Sequence, residues 1–174
     1  MQALEFWKTV TMDYSNLLES LISFLREHEI EFCVIGGQAV NAYVEPLVSL
    51  DLDLVVAINQ IETVKALLEK KFSVKSFPHS LNVSIPNSDV RVQIQTDARY
   101  GAFLQNASVR NILGMSLPVA SLEDVLQGKI WAVSDFERRG SKKQKDLADI
   151  ARILESYPEL RNNVPQEILS KLLD

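Results

Sequence analysis

From Asp51 to Ile58 the chain reads Asp-Leu-Asp-Leu-Val-Val-Ala-Ile, and this octet restricts the fold more than any other stretch. Side chains of a β-strand alternate between its two faces, so a strand here sends Leu52 and Leu54 one way and Asp51 and Asp53 the other. The strand then needs a core on one side and something to receive two neighbouring carboxylates on the other. Its surroundings alternate between helix and strand. Leu17, Leu18, Leu21, Phe24 and Leu25 recur at three- and four-residue spacing and predict an amphipathic helix over about Asp13 to His28. Glu31 to Ile35 is short, apolar and rich in strand formers, and it ends at Gly36-Gly37, after which Gln38 to Tyr43 reads as a helix. Behind the acidic strand, Ile61, Val64, Leu67 and Leu68 mark one side of a helix over Gln60 to Lys71.

Short strands are expected at Phe72 to Ser76, Leu81 to Ile85 and Val90 to Thr96, followed by a mixed stretch from Tyr100 to Ala120. Ser121-Leu-Glu-Asp124 has the pattern of a capping box and opens a helix to about Phe136. A basic loop leads to a further helix over about Lys143 to Ser156, and Pro158 and Pro165 bracket the connection to a short C-terminal helix. The expected architecture is α/β (α+β): a mixed β-sheet flanked by helices, with an αβ core over residues 1–120. Residues 121–174 form a C-terminal helical appendage packed on that core, in one compact unit.

Composition narrows the function class. With 174 residues, 47% of them hydrophobic, the chain buries enough surface to fold without metal or disulfide. Its apolar runs are about five residues long, against the roughly 20 that a membrane span needs, so no membrane association is expected. Met1 to Val10 lacks the basic and apolar regions of a secretory signal. The lone cysteine, Cys33, excludes an intramolecular disulfide, and a cytoplasmic location is expected. A net charge of −5 argues against wholesale nucleic-acid coating, yet Arg138, Arg139, Lys142, Lys143 and Lys145 crowd into eight positions, where a polyanion could dock.

Two carboxylates on one strand face raise each other's pKa unless a cation neutralises them, and hard oxygen donors suit Mg²⁺ or Mn²⁺. Asp51 and Asp53 are therefore the candidate metal ligands. Gly36 and Gly37 permit positive φ and remove side chains from the start of the next helix, where backbone N–H groups could approach a phosphate. His28 and His79 have no partners at zinc-ligand spacing, Cys33 has no activating base, and neither the P-loop nor the Gly-x-Ser-x-Gly pattern occurs.

Ile35-Gly-Gly, a thirteen-residue spacer from Gln38 to Leu50, and Asp51-Leu-Asp-Leu resemble the signature of the nucleotidyltransferase superfamily. The resemblance implies that the two carboxylates hold Mg²⁺ on the triphosphate of an NTP while a hydroxyl attacks the α-phosphorus and pyrophosphate leaves. A second likeness covers Leu122-Glu-Asp-Val-Leu-Gln-Gly-Lys129, Arg138-Arg, and Lys145-Asp146-Leu-Ala-Asp149, which is similar to the AbiEii-type toxin branch. On a helix, Leu122, Val125, Leu126, Lys129, Ala132, Val133 and Phe136 share a face, so Lys129 sits inside an apolar stripe and needs an anion or water. Asp146 likewise shares a face with Ile150, Ile153 and Tyr157. Two readings are open: Lys129 snorkels and Asp146 caps a helix beginning near Lys143, or Lys129 contacts nucleotide phosphate while Asp146 and Asp149 orient it or a nearby arginine such as Arg138.

The superfamily's third carboxylate has no counterpart in Val90-Arg-Val-Gln-Ile-Gln-Thr-Asp97, where Gln93 or Gln95 takes the expected position and Asp97 is the alternative at the strand end. An amide supplies no charge and cannot act as a base. Arg99-Tyr100 beside it could hold a base or an acceptor. The functional expectation is an NTP-Mg²⁺-dependent nucleotidyltransferase acting on an RNA, tRNA or protein hydroxyl, with an antitoxin as protein partner. The rival expectation is a catalytically degenerate nucleotide-binding module.

Overall fold

The computed structural model describes residues 3–11 and 16–173. Seven strands form one mixed sheet: β1 (Phe32–Ile35), β2 (Asp51–Val56), β3 (Ser73–Phe77), β4 (Ser80–Ser84), β5 (Arg91–Gln95), β6 (Ser108–Ile112) and β7 (Met115–Val119), in the spatial order β3-β4-β5-β2-β1-β7-β6. β1 runs antiparallel to β2 and parallel to β7, and β2 runs parallel to β5. The expected mixed sheet flanked by helices is what the chain forms.

The helices are α1 (Ala3–Thr11), α2 (Leu17–Glu27), α3 (Gly36–Asn41), α4 (Ile61–Leu68), α5 (Leu122–Ser134), α6 (Gly140–Ser156) and α7 (Gln166–Leu169). No described helix is long and apolar enough to cross a membrane. The periodic leucines of α2 are buried as predicted, with Leu17, Leu18, Leu21 and Leu25 fully inaccessible, while the predicted start at Asp13 lies outside the described residues. α1 went unrecognised. Its Trp7 is buried and donates an indole hydrogen bond to the carbonyl of Ser49 (2.6 Å), which ties this helix to the segment leading into β2.

The stretch Tyr100 to Ala120 resolves into 3₁₀ turns over Ala98–Asn106 and the hairpin β6-β7. Leu113 and Gly114 turn that hairpin with φ of 53° and 85°, the two positive values that a tight two-residue hairpin requires. Only one of the two is a glycine, which hides the turn in the sequence. α5 is capped as expected, Ser121 Oγ accepting from the Asp124 N–H at 3.2 Å. It stops at Ser134, so Phe136 does not share its apolar face and stands fully in solvent. α6 begins at Gly140, not near Lys143, which places Asp146 within the helix body instead of its first turn.

β2 alternates as the octet demands: Leu52 and Leu54 are fully buried, whereas Asp51 and Asp53 are half-buried on the opposite face. Residues of α3, α5, α6 and the Ala98–Asn106 turns gather over that face and leave a cleft between them.

Candidate nucleotide and metal cleft

The cleft has a volume of about 450 Å³ and brings together side chains that are remote in sequence: Gly36 and Gly37, Asp51 and Asp53, Gln93 and Gln95, Lys129, and the Arg138–Arg152 region. Its floor is β2 and β5. In their parallel register Asp51 lies beside Arg91, Asp53 beside Gln93 and Val55 beside Gln95. Gln93 is thus the β5 residue abreast of the aspartates, and its amide makes no side-chain hydrogen bond with the described residues. Gln95 also lines the cleft, but its Oε1 accepts from the N–H groups of Thr96 and Asp97, both at 3.1 Å.

Asp97 does not join them. Its carboxylate caps the Ala98–Asn106 turns through the Arg99 N–H (3.0 Å) and pairs with the Arg99 guanidinium (2.8 Å), which holds the carboxyl below its usual range. As a third site position Asp97 is spent on this local turn. Arg99 in turn stacks on Trp131, 4.7 Å from the ring centre. The Arg99-Tyr100 pair is therefore split, for Tyr100 is buried and faces the cleft with Phe103. Burial pushes the Tyr100 phenol up to about 12. Gly128 of α5 accommodates both rings, since a Cβ there would stand 3.3 Å from Tyr100 and 3.6 Å from Phe103.

The glycine turn has a tighter role than backbone access alone. Gly36 has φ +69°, and a Cβ added to it would lie 2.2 Å from Asp53 Oδ2. Asp53 occupies the space that any other residue would need. A Cβ on Gly37 would come within 3.2 Å of Ser49 Oγ, so the second glycine lets the segment before β2 pass close to α3. That segment is held from three sides. Trp7 and Gln38 both donate to the Ser49 carbonyl, Asn41 brackets Leu47 through its N–H and its carbonyl, and Arg152 donates to Asn41 Oδ1 (3.0 Å) and to the Glu45 carbonyl (2.6 Å).

Burial lifts Asp53 to about 6; Lys129 pulls it back, Asp51 adds to the rise, and Lys142 and Arg138 lower it more weakly. Asp51 is less enclosed. Arg91 Nε approaches its Oδ1 to 2.8 Å as an ion pair, but without hydrogen-bond alignment, so that buried oxygen is left with no described hydrogen-bond partner. Two adjacent carboxylates, one carrying an unsatisfied buried oxygen, fit a hard divalent cation whose remaining ligands come from water or phosphate. Among the described residues no group of three His, Cys, Asp or Glu side chains converges as a complete metal cage.

Opposite the aspartates, Lys129 is clamped by Asp146 Oδ1 (3.1 Å) and Asp149 Oδ2 (2.8 Å). Burial works against its charge, but the two carboxylates outweigh it and hold the Lys129 pKa above its usual value. Asp146 is 2% exposed and also receives Arg138 Nε at 2.5 Å, while Asp149 receives Arg152 (2.9 Å). The geometry is thus that of acids orienting Lys129 and Arg138, and Asp146 is not a helix cap. Arg139, Lys142 and Lys145 line the same cleft and make no ion pair with described residues, whereas Lys143 lies outside it. Arg91 and Arg152 escaped notice in the sequence. Arg152 follows Asp149 by three residues on one helix, and Arg91 precedes Gln93 by two on one strand, so both signals were local pairings with no motif to mark them.

The remaining candidates are structural. Cys33 is fully buried in β1 and burial pushes its thiol up to about 12, so it packs and does not react. His28 lies against Phe24, with its Nδ1 2.9 Å from that residue's carbonyl oxygen.

Comparison with known proteins gives a consistent result. The family described as nucleotidyl transferase AbiEii toxin, type IV TA system, matches residues 17–173. Among solved structures, ANT(2″)-Ia in complex with adenylyl-2″-tobramycin is similar over 89% of this chain and 96% of its own, with a TM-score of 0.64 at 14% identity. The lincomycin-bound lincosamide antibiotic adenylyltransferase LnuA aligns over 78% of this chain and 93% of its own (TM-score 0.50, 16% identity). An antigenic nucleotidyltransferase-like protein from Paracoccidioides brasiliensis aligns over 86% and 75% (TM-score 0.50, 22% identity). No curated protein sequence matches.

Proposed function

Since the chain belongs to the AbiEii nucleotidyl transferase toxin family, we propose that its cleft binds a nucleoside triphosphate with Mg²⁺ or Mn²⁺ and transfers the nucleotidyl group to an acceptor hydroxyl. One observation carries the reading: in a single cleft two adjacent carboxylates face three cations, Arg139, Lys142 and Lys145, that have no ion-pair partner among the described residues. A triphosphate bridged to a metal satisfies both halves at once. Asp51 and Asp53 would hold the metal, with Gly36 leaving room for Asp53. Lys129, kept charged by Asp146 and Asp149, supplies fixed positive charge, and Arg138, oriented by Asp146, adds to it. A bound Mg²⁺ would offset the charge that builds on the phosphate oxygens. The acceptor oxygen bonds to the α-phosphorus, the bond to the bridging oxygen breaks, and pyrophosphate departs. Gln93 has no basic site for the hydroxyl proton, which passes to water. An RNA or tRNA end, or a protein hydroxyl, is the acceptor class, and an antitoxin protein is the expected regulator.

The test is incubation with each labelled NTP and Mg²⁺ or Mn²⁺, followed for pyrophosphate release and for label on RNA or protein, with Asp51→Asn/Asp53→Asn alongside. Pyrophosphate release by the wild type and its loss in the double variant support transfer. Gln93 favours a second reading, a module that binds nucleotide without turning it over. Metal-dependent nucleotide binding with no product from any acceptor would select that reading and sink the first.

A further inference from the structure

The residues that flank the two aspartates on β5 bear on how many metal ions this centre takes. Two divalent ions about 3.5–4 Å apart on one nucleotide draw part of their ligands and charge compensation from the triphosphate, and the ion shared with the protein pair needs the rest from carboxylates beside it. The structure offers two, Asp51 and Asp53. Abreast of Asp53 stands Gln93, a neutral amide, and abreast of Asp51 stands Arg91, a permanent cation already 2.8 Å from Asp51 Oδ1. The other acids of the cleft are committed, Asp146 to Lys129 and Arg138 and Asp149 to Lys129 and Arg152. No third carboxylate among the described residues converges with the pair.

We infer that this centre is built for one divalent cation per bound nucleotide, with Gln93 and Arg91 occupying the two places from which a second ion would draw its ligand and its charge compensation. The inference rests on the nucleotide-and-metal reading proposed above. Arg91 is 64% exposed on its side chain, so its pairing with Asp51 adds little to fold stability, although the guanidinium stays 2.8 Å from Asp51 Oδ1. Its effect is electrostatic: it adds a positive charge beside Asp51 where a second dication would need a negative one. Gln93 acts by what it lacks, for an amide oxygen is a neutral donor that cannot offset a dication's charge.

Counting bound Mn²⁺ tests this without any turnover. The full chain is saturated with a non-hydrolysable NTP analogue, free Mn²⁺ is followed by electron paramagnetic resonance, and the count is repeated for Gln93→Glu/Arg91→Gln. Ions carried by free analogue are subtracted from a protein-free titration. One Mn²⁺ per wild-type chain is expected, with a second appearing in the variant at an affinity within about tenfold of the first. Two ions on the wild type would overturn the inference while leaving the nucleotide reading intact. A folded variant that still binds only one would overturn the roles given to Gln93 and Arg91. No analogue-dependent Mn²⁺ on the wild type would instead overturn the nucleotide-and-metal reading itself.

Discussion

Gly36 and Asp53 meet so closely that neither can be understood without the other. A methyl group at residue 36 would require both an unfavourable left-handed backbone, costing about 1–2 kcal/mol, and displacement of a carboxylate 2.2 Å away. Gly36→Ala should therefore lose about 2 kcal/mol in urea unfolding and at least tenfold in Mg²⁺-nucleotide affinity by calorimetry. A stability loss with affinity unchanged would reduce the glycine to a turn residue. Asp53 itself makes a prediction about pH. Its pKa is raised in the fold, so ionising it destabilises the protein, a penalty that is absent below the unfolded value near 3.8 and fully felt above about 6. In metal-free protein, Asp53→Asn should raise stability by on the order of 2 kcal/mol at pH 7.5. That advantage should fade as pH drops through 6 and vanish near pH 4, as read from melting temperatures across the range. By the same sign, Mg²⁺ affinity of the wild type should fall as pH drops through 6.

Helix α6 does two things at once, and both run through acids that face inward. Asp146 neutralises Lys129 and Arg138, and Asp149 links Lys129 to Arg152. Removing one partner of a buried ion network leaves an uncompensated charge, a loss of about 3–5 kcal/mol. Asp146→Ala should reach that range in denaturant unfolding, whereas Lys145→Ala, at an exposed cleft-lining residue with no ion-pair partner among the described residues, should stay within about 0.5 kcal/mol. Arg152 belongs to the second task, pinning the segment between α3 and β2 that delivers Asp51 into the cleft. Arg152→Ala should accelerate amide hydrogen exchange over residues 42–50 and weaken Mg²⁺-nucleotide binding several-fold. Lys at 152 should not restore either property, because one ammonium cannot replace a guanidinium that serves Asp149, Asn41 and the Glu45 carbonyl together. Unchanged exchange over 42–50 in Arg152→Ala would remove this positioning role.

For the molecule as a whole, the cleft is assembled from β2, β5, α3, α5, α6 and the Ala98–Asn106 turns, so a ligand that fills it would tie together elements spread from Gly36 to Arg152. Mg²⁺ with a nucleoside triphosphate at about 100 times its dissociation constant should stabilise the fold by about 2.7 kcal/mol. For a chain this size that corresponds to a rise in melting temperature of about 5–10 °C. The rise should be lost in Asp51→Asn/Asp53→Asn and on replacing the metal with chelator, and a rise that survives either change would place the ligand elsewhere.

What was legible in the sequence was whatever depends on local periodicity. The alternation of Asp51, Leu52, Asp53 and Leu54 determined a strand with one acidic face, and the leucines from Leu17 to Leu25 determined a buried helix stripe, because side-chain direction follows directly from backbone repeat. The glycine pair at the end of β1 announced the turn. The odd placements of Lys129 and Asp146 on apolar faces likewise announced that each needed a partner. Tertiary structure alone decided who the partners were. Register between β2 and β5 set Gln93 beside Asp53 and Arg91 beside Asp51; packing of α5 against α6 joined Lys129 to Asp146 and Asp149; and the chain's return through Arg152 secured a segment more than 100 residues earlier. The physical reason is common to all three: a charge buried in a folded protein is satisfied by what lies near it in space, and sequence spacing carries that information only within a single helix or strand.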